Sequence, residues 1–305
     1  MRVLFFVLAL LMFVWYNITD NKNKGKMVML MLKYSVLMSV YKKENPEFLR
    51  LSMQSIFDQT VKTDDFVLIC DGPLGKELNL VIEDFQNRYG DILNIVRFEK
   101  NRGLGPALND GLRICKNELV ARMDSDDFAP EKRIELQLGA FERDNSLDIV
   151  GGAIEEFEGE PKNVISKKDM PISHEEILKY ARLRNPFNHP TVMYKRDTVL
   201  KVGGYVPLYL YEDYGLWVKL LNGGARALNL SDTLCCMRVD GGLYGRRGGL
   251  KYLGTALRFR RYLYKTKFNS IGQMLYSSAV LIIVCIIPTW FRKFIYRTFL
   301  RDKKQ

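Results

Sequence analysis

Residues 119–127 read LVARMDSDD, a short apolar run that ends in three carboxylates within four positions. Leu119–Met123 has the length and composition of a buried strand, and Asp124, Ser125, Asp126 and Asp127 follow without a spacer. Left alone, these carboxylates would repel one another. A hard divalent cation with oxygen ligands is the usual remedy. The alternative is a solvated acidic turn that caps a helix starting near Pro130, with Asp127 as the cap.

Upstream of this run, strand and helix patterns alternate. YSVLMSV (34–40) is a β-rich run, and Asn45-Pro46 supplies an N-cap and a first-turn proline for a helix over 46–59. Phe48, Leu51, Ser55 and Ile56 are expected along one face of that helix. FVLIC (66–70) reads as a second strand ending at Asp71-Gly72-Pro73, residues 78–89 as a helix, and residues 92–98 as a third strand. Leu104, Ala107, Leu108, Gly111 and Leu112 form a helical stripe ahead of the fourth strand. Three such β-α units with short links predict an α/β fold with a mostly parallel, doubly wound sheet. Ligands of such sheets bind beyond the carboxyl ends of the strands. Those ends carry Ser39 and Tyr41, Asp71, Asn101-Arg102-Gly103 and Asp124–Asp127. A G-x-G-x-x-G fingerprint after the first strand and a Walker P-loop are both missing.

The 305 residues are 47% hydrophobic and 12% aromatic, enough to bury a core and to exclude a disordered chain. The net charge of +11 is confined to one end. From Arg238 onward there are fifteen Lys and Arg against two acids, while the preceding 237 residues carry thirty-one bases and thirty-three acids. A basic tail points to an anionic surface, either a membrane leaflet or nucleic acid. Long apolar runs interleave with its basic residues and no nucleic-acid motif is visible, so no nucleic-acid partner is expected. Five cysteines, odd in number and without a C-x-x-C pair, argue against a disulfide framework and a zinc site.

Both ends are apolar. Residues 3–16 (VLFFVLALLMFVWY) would reach only ~21 Å as a helix, short of the ~30 Å hydrocarbon core. Residues 1–32 therefore read either as a short anchor or as an extension upstream of the true start at Met27, Met29 or Met31. At the other end, MLYSSAVLIIVCII (274–287) precedes Pro288 and a basic, aromatic segment that has the pattern of an interfacial helix. The expected division is an N-terminal extension at 1–32, a catalytic domain at 33–240 and a membrane-associated helical segment at 241–305.

Taken together and in order, several stretches carry a resemblance. YSVLMSVYKKENPEFLRLSMQSIFDQT (34–60), LICDGP (68–73), NRGLGPALNDGL (101–112) and ARMDSDDFAPEKRIELQ (121–137) resemble the family 2 glycosyltransferases of GT-A fold. NPFNHPTVMYKRD (185–197), VGGYVPLYLYEDYGLWVKLL (202–221) and YGRRGGLKYL (244–253) are similar to its capsular and exopolysaccharide, amylovoran-type branch. Cys70 departs from the pattern, since many members carry a second Asp beside Asp71.

This resemblance implies a nucleotide-binding half and an acceptor half. Ser39 and Tyr41 would line the nucleotide pocket, with Tyr41 stacked on the base and Asp71 accepting from a uracil N–H. Arg102 would contact the nucleotide, and Gly103 would allow close backbone approach. Asp124 would hold the ribose or the metal, and Asp126 would ligate Mn²⁺ or Mg²⁺. Asp213 would be the general base toward the acceptor hydroxyl, and Glu212 beside it is a further candidate. The implied donor is a UDP-sugar such as UDP-galactose or UDP-glucose. The implied acceptor is a lipid-linked glycan at the cytoplasmic face of a membrane, in surface polysaccharide biosynthesis.

Carboxylates at a helix start are also ordinary dipole partners, which is the plain reading of Glu212 and Asp213. His189, just before an apolar strand expected at TVMY (191–194), reads either as an acceptor or diphosphate contact or as a turn histidine. Arg246 and Arg247, set among glycines, read as a loop closing over the diphosphate or as the start of the basic face. A glycoside hydrolase using Asp126 and Asp213 is the rival enzyme class, and it would need no metal.

Overall fold

The computed structural model describes residues 32–239 and 249–286. β1 (Tyr34–Val40), α1 (Pro46–Phe57), β2 (Asp65–Cys70), α2 (Lys76–Tyr89), β3 (Leu93–Arg97), α3 (Leu104–Ile114) and β4 (Leu119–Asp124) alternate as the patterning predicts. Their strands pair in parallel in the order β3-β2-β1-β4. Period-2 alternation divides each strand between two cores. Val36, Met38, Phe66, Leu68, Ala121 and Met123 face one layer, with α1, α2 and α4 (Arg133–Arg143). Leu37, Val67, Ile69 and Val120 face the other, with α3 and later helices.

Beyond β4 the sheet is no longer parallel. The elements are β5 (Ile149–Phe157), β6 (Val164–Lys168), α5 (His174–Ala181), a 3₁₀ turn (His189–Thr191), β7 (Met193–Lys195), α6 (Arg196–Lys201), α7 (Glu212–Asn222) and β8 (Ala227–Arg238). β7 runs antiparallel to both β4 and β5, β6 is antiparallel to β5, and β8 is parallel to β5. The sheet order is β3-β2-β1-β4-β7-β5-β6. A parallel half thus joins a mixed half through the short strand β7.

Three local expectations are corrected. The α1 face that packs on the sheet is Leu49, Ser52, Met53 and Ile56, while Phe48 and Leu51 are only half-buried. The Phe48 ring instead carries the guanidinium of Arg238, 3.8 Å from its centroid. The apolar run at 191–194 starts as strand only at Met193, because the Thr191 hydroxyl donates to Asn188 O (2.8 Å) and closes the 3₁₀ turn. The helix expected near Pro130 begins at Arg133.

The C-terminal helices α8 (Gly249–Lys265) and α9 (Ile271–Ile286) pack on each other. α8 also belongs to the second core of the sheet: Phe259 and Leu263 are fully buried, and the Phe259 ring stacks on Tyr211 at 4.4 Å. α9 presents a different surface. Ser277 and Leu281 are buried, whereas Ile271, Leu275, Tyr276, Val280 and Ile283 are exposed. Among the described residues no helix is long and apolar enough to cross a membrane. No disulfide joins any of the five cysteines, and four of them are buried.

Candidate active site

The carboxyl ends of β1, β2 and β4 lie side by side. Ser39 pairs with Asp124 in register and is half-buried, and Tyr41 follows on an exposed turn. Asp71, almost fully buried after β2, accepts from the backbone N–H of Arg102 (2.8 Å) and of Gly103 (2.9 Å). The Asn101 side-chain amide donates to Asp71 O (3.1 Å). Asp71 therefore holds the loop entering α3, and any base contact must use its remaining lone pairs. Gly103 sits at φ 92°, ψ 163°, a region open essentially to glycine alone. Arg102 stacks on Phe98 (3.9 Å) and pairs with Asp110, so its guanidinium is anchored at the rim.

The three carboxylates of the acidic run have three different environments. Asp124 forms an ion pair with Arg122, and its backbone carbonyl accepts from the Ser52 hydroxyl (2.6 Å). Asp126 is an exposed residue, but neighbouring protein takes part of the solvation from its carboxyl. That desolvation, with the negative charges of Asp124 and Glu44, pushes its carboxyl up to about 7. Asp127 is buried and accepts from the Arg238 N–H (2.9 Å) and from Cys235 Sγ (3.7 Å). It ties the loop to β8 and caps no helix. Burial and the charges of Asp126 and Asp124 raise its carboxyl well above the usual range.

A carboxylate as destabilised as Asp126 is one that a cation would relieve. Asp126 and Asp124 offer hard oxygen donors, which fits Mg²⁺ or Mn²⁺. Among the described residues no cluster of three His, Cys, Asp or Glu could hold a metal. One or two carboxylates sharing a cation with substrate phosphates is the usual arrangement for such ions.

In the mixed half of the sheet, Asp213 lies in the first turn of α7 and is half-buried. Its Oδ2 accepts from Asn185 Nδ2 (2.7 Å). Burial raises its carboxyl above the usual carboxylate range, opposed by hydrogen bonds from the Tyr214 backbone and Asn185 and by the charge of Arg122. Glu212 is raised for the same main reason. His189 shares a hydrogen bond with the Tyr205 hydroxyl (3.1 Å) and is held well below its ordinary value by burial and by Arg122. It is thus a neutral imidazole at neutral pH. Arg246 and Arg247 lie outside the described residues, as do residues 1–31 and the basic segment beyond Ile286.

Four residues of the site were not singled out from sequence. Arg238 stacks between Phe48 and Phe157 and donates to Asp126 O (3.2 Å), bracing the acidic loop from β8. Glu44 accepts from the Ser125 hydroxyl (2.5 Å), and Asn185 orients Asp213. Arg122 carried a visible signal: it is a charged residue at a core position of an apolar strand. For the other three, the partner is 28 or more positions away and nothing local announces it. A groove of about 820 Å³ along α1 and α2, lined by Phe48, Leu51, Arg88 and Pro161 among others, meets the acidic loop through Arg238.

Comparison with known proteins places this geometry. Residues 35–203 match the sequence model of glycosyl transferase family 2. The chain is 40% identical over 271 residues to the UDP-Gal:alpha-D-GlcNAc-diphosphoundecaprenol beta-1,3-galactosyltransferase of Escherichia coli, covering 88% of this chain and 97% of that one. It is 37% identical to the amylovoran biosynthesis glycosyltransferase AmsE of Erwinia amylovora, covering 75% of this chain and 84% of the relative. Among solved structures, the mannosyltransferase PcManGT of Pyrobaculum calidifontis, in complex with GDP-Man and Mn²⁺, superposes with a TM-score of 0.60 at 17% identity, covering 82% of this chain and 69% of that one. S. aureus TarS in complex with UDP-GlcNAc does so with a TM-score of 0.57 at 17% identity, covering 88% and 72%.

Proposed function

The chain belongs to glycosyl transferase family 2 and is a glycosyltransferase; on that premise we propose that it transfers a hexose from a UDP-sugar to a lipid-linked glycan in surface polysaccharide assembly. The observation that carries the reading is the convergence of Asp124 and Asp126 at the carboxyl end of β4, with Asp213 presented from α7 on the acceptor side. UDP-galactose is the first donor to test, because the Escherichia coli relative is named for it. A lipid diphosphate bearing GlcNAc is the corresponding acceptor.

In this reading Ser39, Tyr41 and Asp71 border the nucleotide, with the loop at Arg102 and Gly103 beside it. Asp126 and Asp124 would hold Mn²⁺ or Mg²⁺, and when bound the cation supplies positive charge for the departing diphosphate. Asp213 takes the proton from the acceptor hydroxyl as that oxygen attacks the anomeric carbon. Asn185 fixes the rotation of its carboxylate by holding Oδ2. One base and one leaving group suit a single inverting displacement. The exposed apolar face of α9, with the basic residues that precede and follow it in sequence, suits peripheral contact with an anionic leaflet, where a lipid-linked acceptor resides.

Asp213→Asn tests the assignment of roles. Transfer should fall by about 10²–10⁴-fold, while UDP-sugar affinity stays within about twofold. Retained transfer would remove Asp213 from the role of base.

A further inference from the structure

α7 carries Asp213 in its first turn, and the chain enters that turn under strain. Leu210 holds φ at 68°, a conformation that a leucine keeps only where its surroundings over-determine it. The next residue, Tyr211, is anchored twice to α8. Its ring stacks on Phe259 (4.4 Å between centroids, 14° between planes), and its hydroxyl donates to the Tyr252 hydroxyl (3.2 Å). On the other flank of Glu212 and Asp213, Tyr214 packs on the same Phe259 ring at 4.6 Å and donates from its hydroxyl to Ala181 O (2.7 Å). One ring of α8 thus touches both residues that bracket the acidic pair. At the far end of α7, Asn222 Nδ2 donates to Thr266 O (3.0 Å).

The C-terminal helices reach Asn185 as well. Asn269, almost fully buried at the corner between α8 and α9, donates from Nδ2 to Arg182 O (2.5 Å). Arg182 stands in the short loop that leads from α5 to Asn185, whose Nδ2 holds Asp213 Oδ2 at 2.7 Å. Asp213 and the amide that orients it therefore rest on one support. The carboxyl ends of β1, β2 and β4, to which the donor side is assigned, rest on other elements.

We propose that α8 and its corner with α9 form the frame of the base: Tyr252 and Asn269 are positioning residues that, with the Phe259 ring, hold the first turn of α7 and the Asn185 loop so that the Asp213 carboxylate meets the acceptor hydroxyl. The inference rests on Asp213 being the base. It gives the C-terminal helices a part in the chemical step, although they lie far in sequence from the acidic motifs. Such a frame acts on rate more than on stability, because a displacement of about 1 Å at a reacting group can cost about 10²-fold.

The test is the kinetics of Tyr252→Phe and Asn269→Ala in the full chain, with UDP-galactose, Mn²⁺ and the GlcNAc-diphosphate lipid acceptor. At saturating substrates kcat should fall about five- to twentyfold in each, while donor affinity by calorimetric titration stays within about twofold. Melting temperatures should stay near that of the wild type. A purely structural role would instead lower stability and donor affinity together with kcat. Asn185→Ala supplies a second readout: adding Asn269→Ala to it should cost no more than about twofold further, because both act on one carboxylate, whereas independent losses multiply. Tyr252→Phe, which removes a single oxygen, carries the test if Asn269→Ala does not fold. Wild-type kcat in the folded variants, or donor affinity lost in step with kcat, would overturn the proposal, and multiplied losses would overturn it for Asn269. If Asp213→Asn still transfers, the base assignment itself has failed. If Asp213→Asn is inactive and both framing variants transfer like wild type, only the frame has failed.

Discussion

Gly103 and Asp71 show how one conformation builds the loop that enters α3. With φ at 92° and ψ at 163°, Gly103 turns its N–H, and that of Arg102, onto the two oxygens of Asp71. A Cβ at Gly103 would meet nothing within 4 Å, so the cost of a side chain there is backbone strain and not a clash. Gly103→Ala should therefore lower stability by about 1–3 kcal/mol and weaken sugar-nucleotide binding, read by thermal melts and donor titration. Wild-type values for both would mean that the loop tolerates another conformation. The positions of Ser39, Asp71, Gly103 and Asp126 were legible in sequence because strand ends and glycines are local signals. The partners of Asp71, Asp127 and Asp213 were not, because each lies on a different element brought close only by the fold.

Among the elements, the parallel half was legible from β1 to β4, where apolar alternation and short links agree with one another. α1 was placed correctly, but its buried face was not. Phe48 looks like a core residue until Arg238 arrives from β8 to cover it. β7 was legible as an apolar run at 191–194, but its start was not, because a 3₁₀ turn takes the first of those residues. α8 is the largest revision, since its pattern of basic and apolar residues was read with the membrane segment. Its Phe259 is fully buried against Tyr211 and Tyr214 of the catalytic domain. Phe259→Ala should cost about 3–5 kcal/mol and lower the melting temperature of the whole chain. A variant that melts like wild type would return α8 to the status of an appendage.

At the scale of the molecule, charge is divided along the sequence. The cleft presents carboxylates, and the positive balance lies beyond Arg238. Because α9 leaves Leu275, Tyr276 and Ile283 exposed, the chain should sediment with vesicles containing anionic lipid, and less so as salt is raised. Leu275→Glu combined with Ile283→Glu should reduce that binding several-fold. Equal binding to neutral and anionic vesicles would remove the electrostatic part of the account.

The central claim is that Asp126 and Asp124 hold a cation on which donor binding depends. Its most direct test is calorimetric titration of UDP-galactose, UDP-glucose and GDP-mannose into the wild-type chain and into Asp126→Asn, with Mn²⁺ and with a chelator. The account predicts saturable binding of a UDP-hexose with Mn²⁺, weakened at least about tenfold by the chelator or by the substitution. Equal affinity in the chelator, or no response to any of these sugar nucleotides, would contradict it.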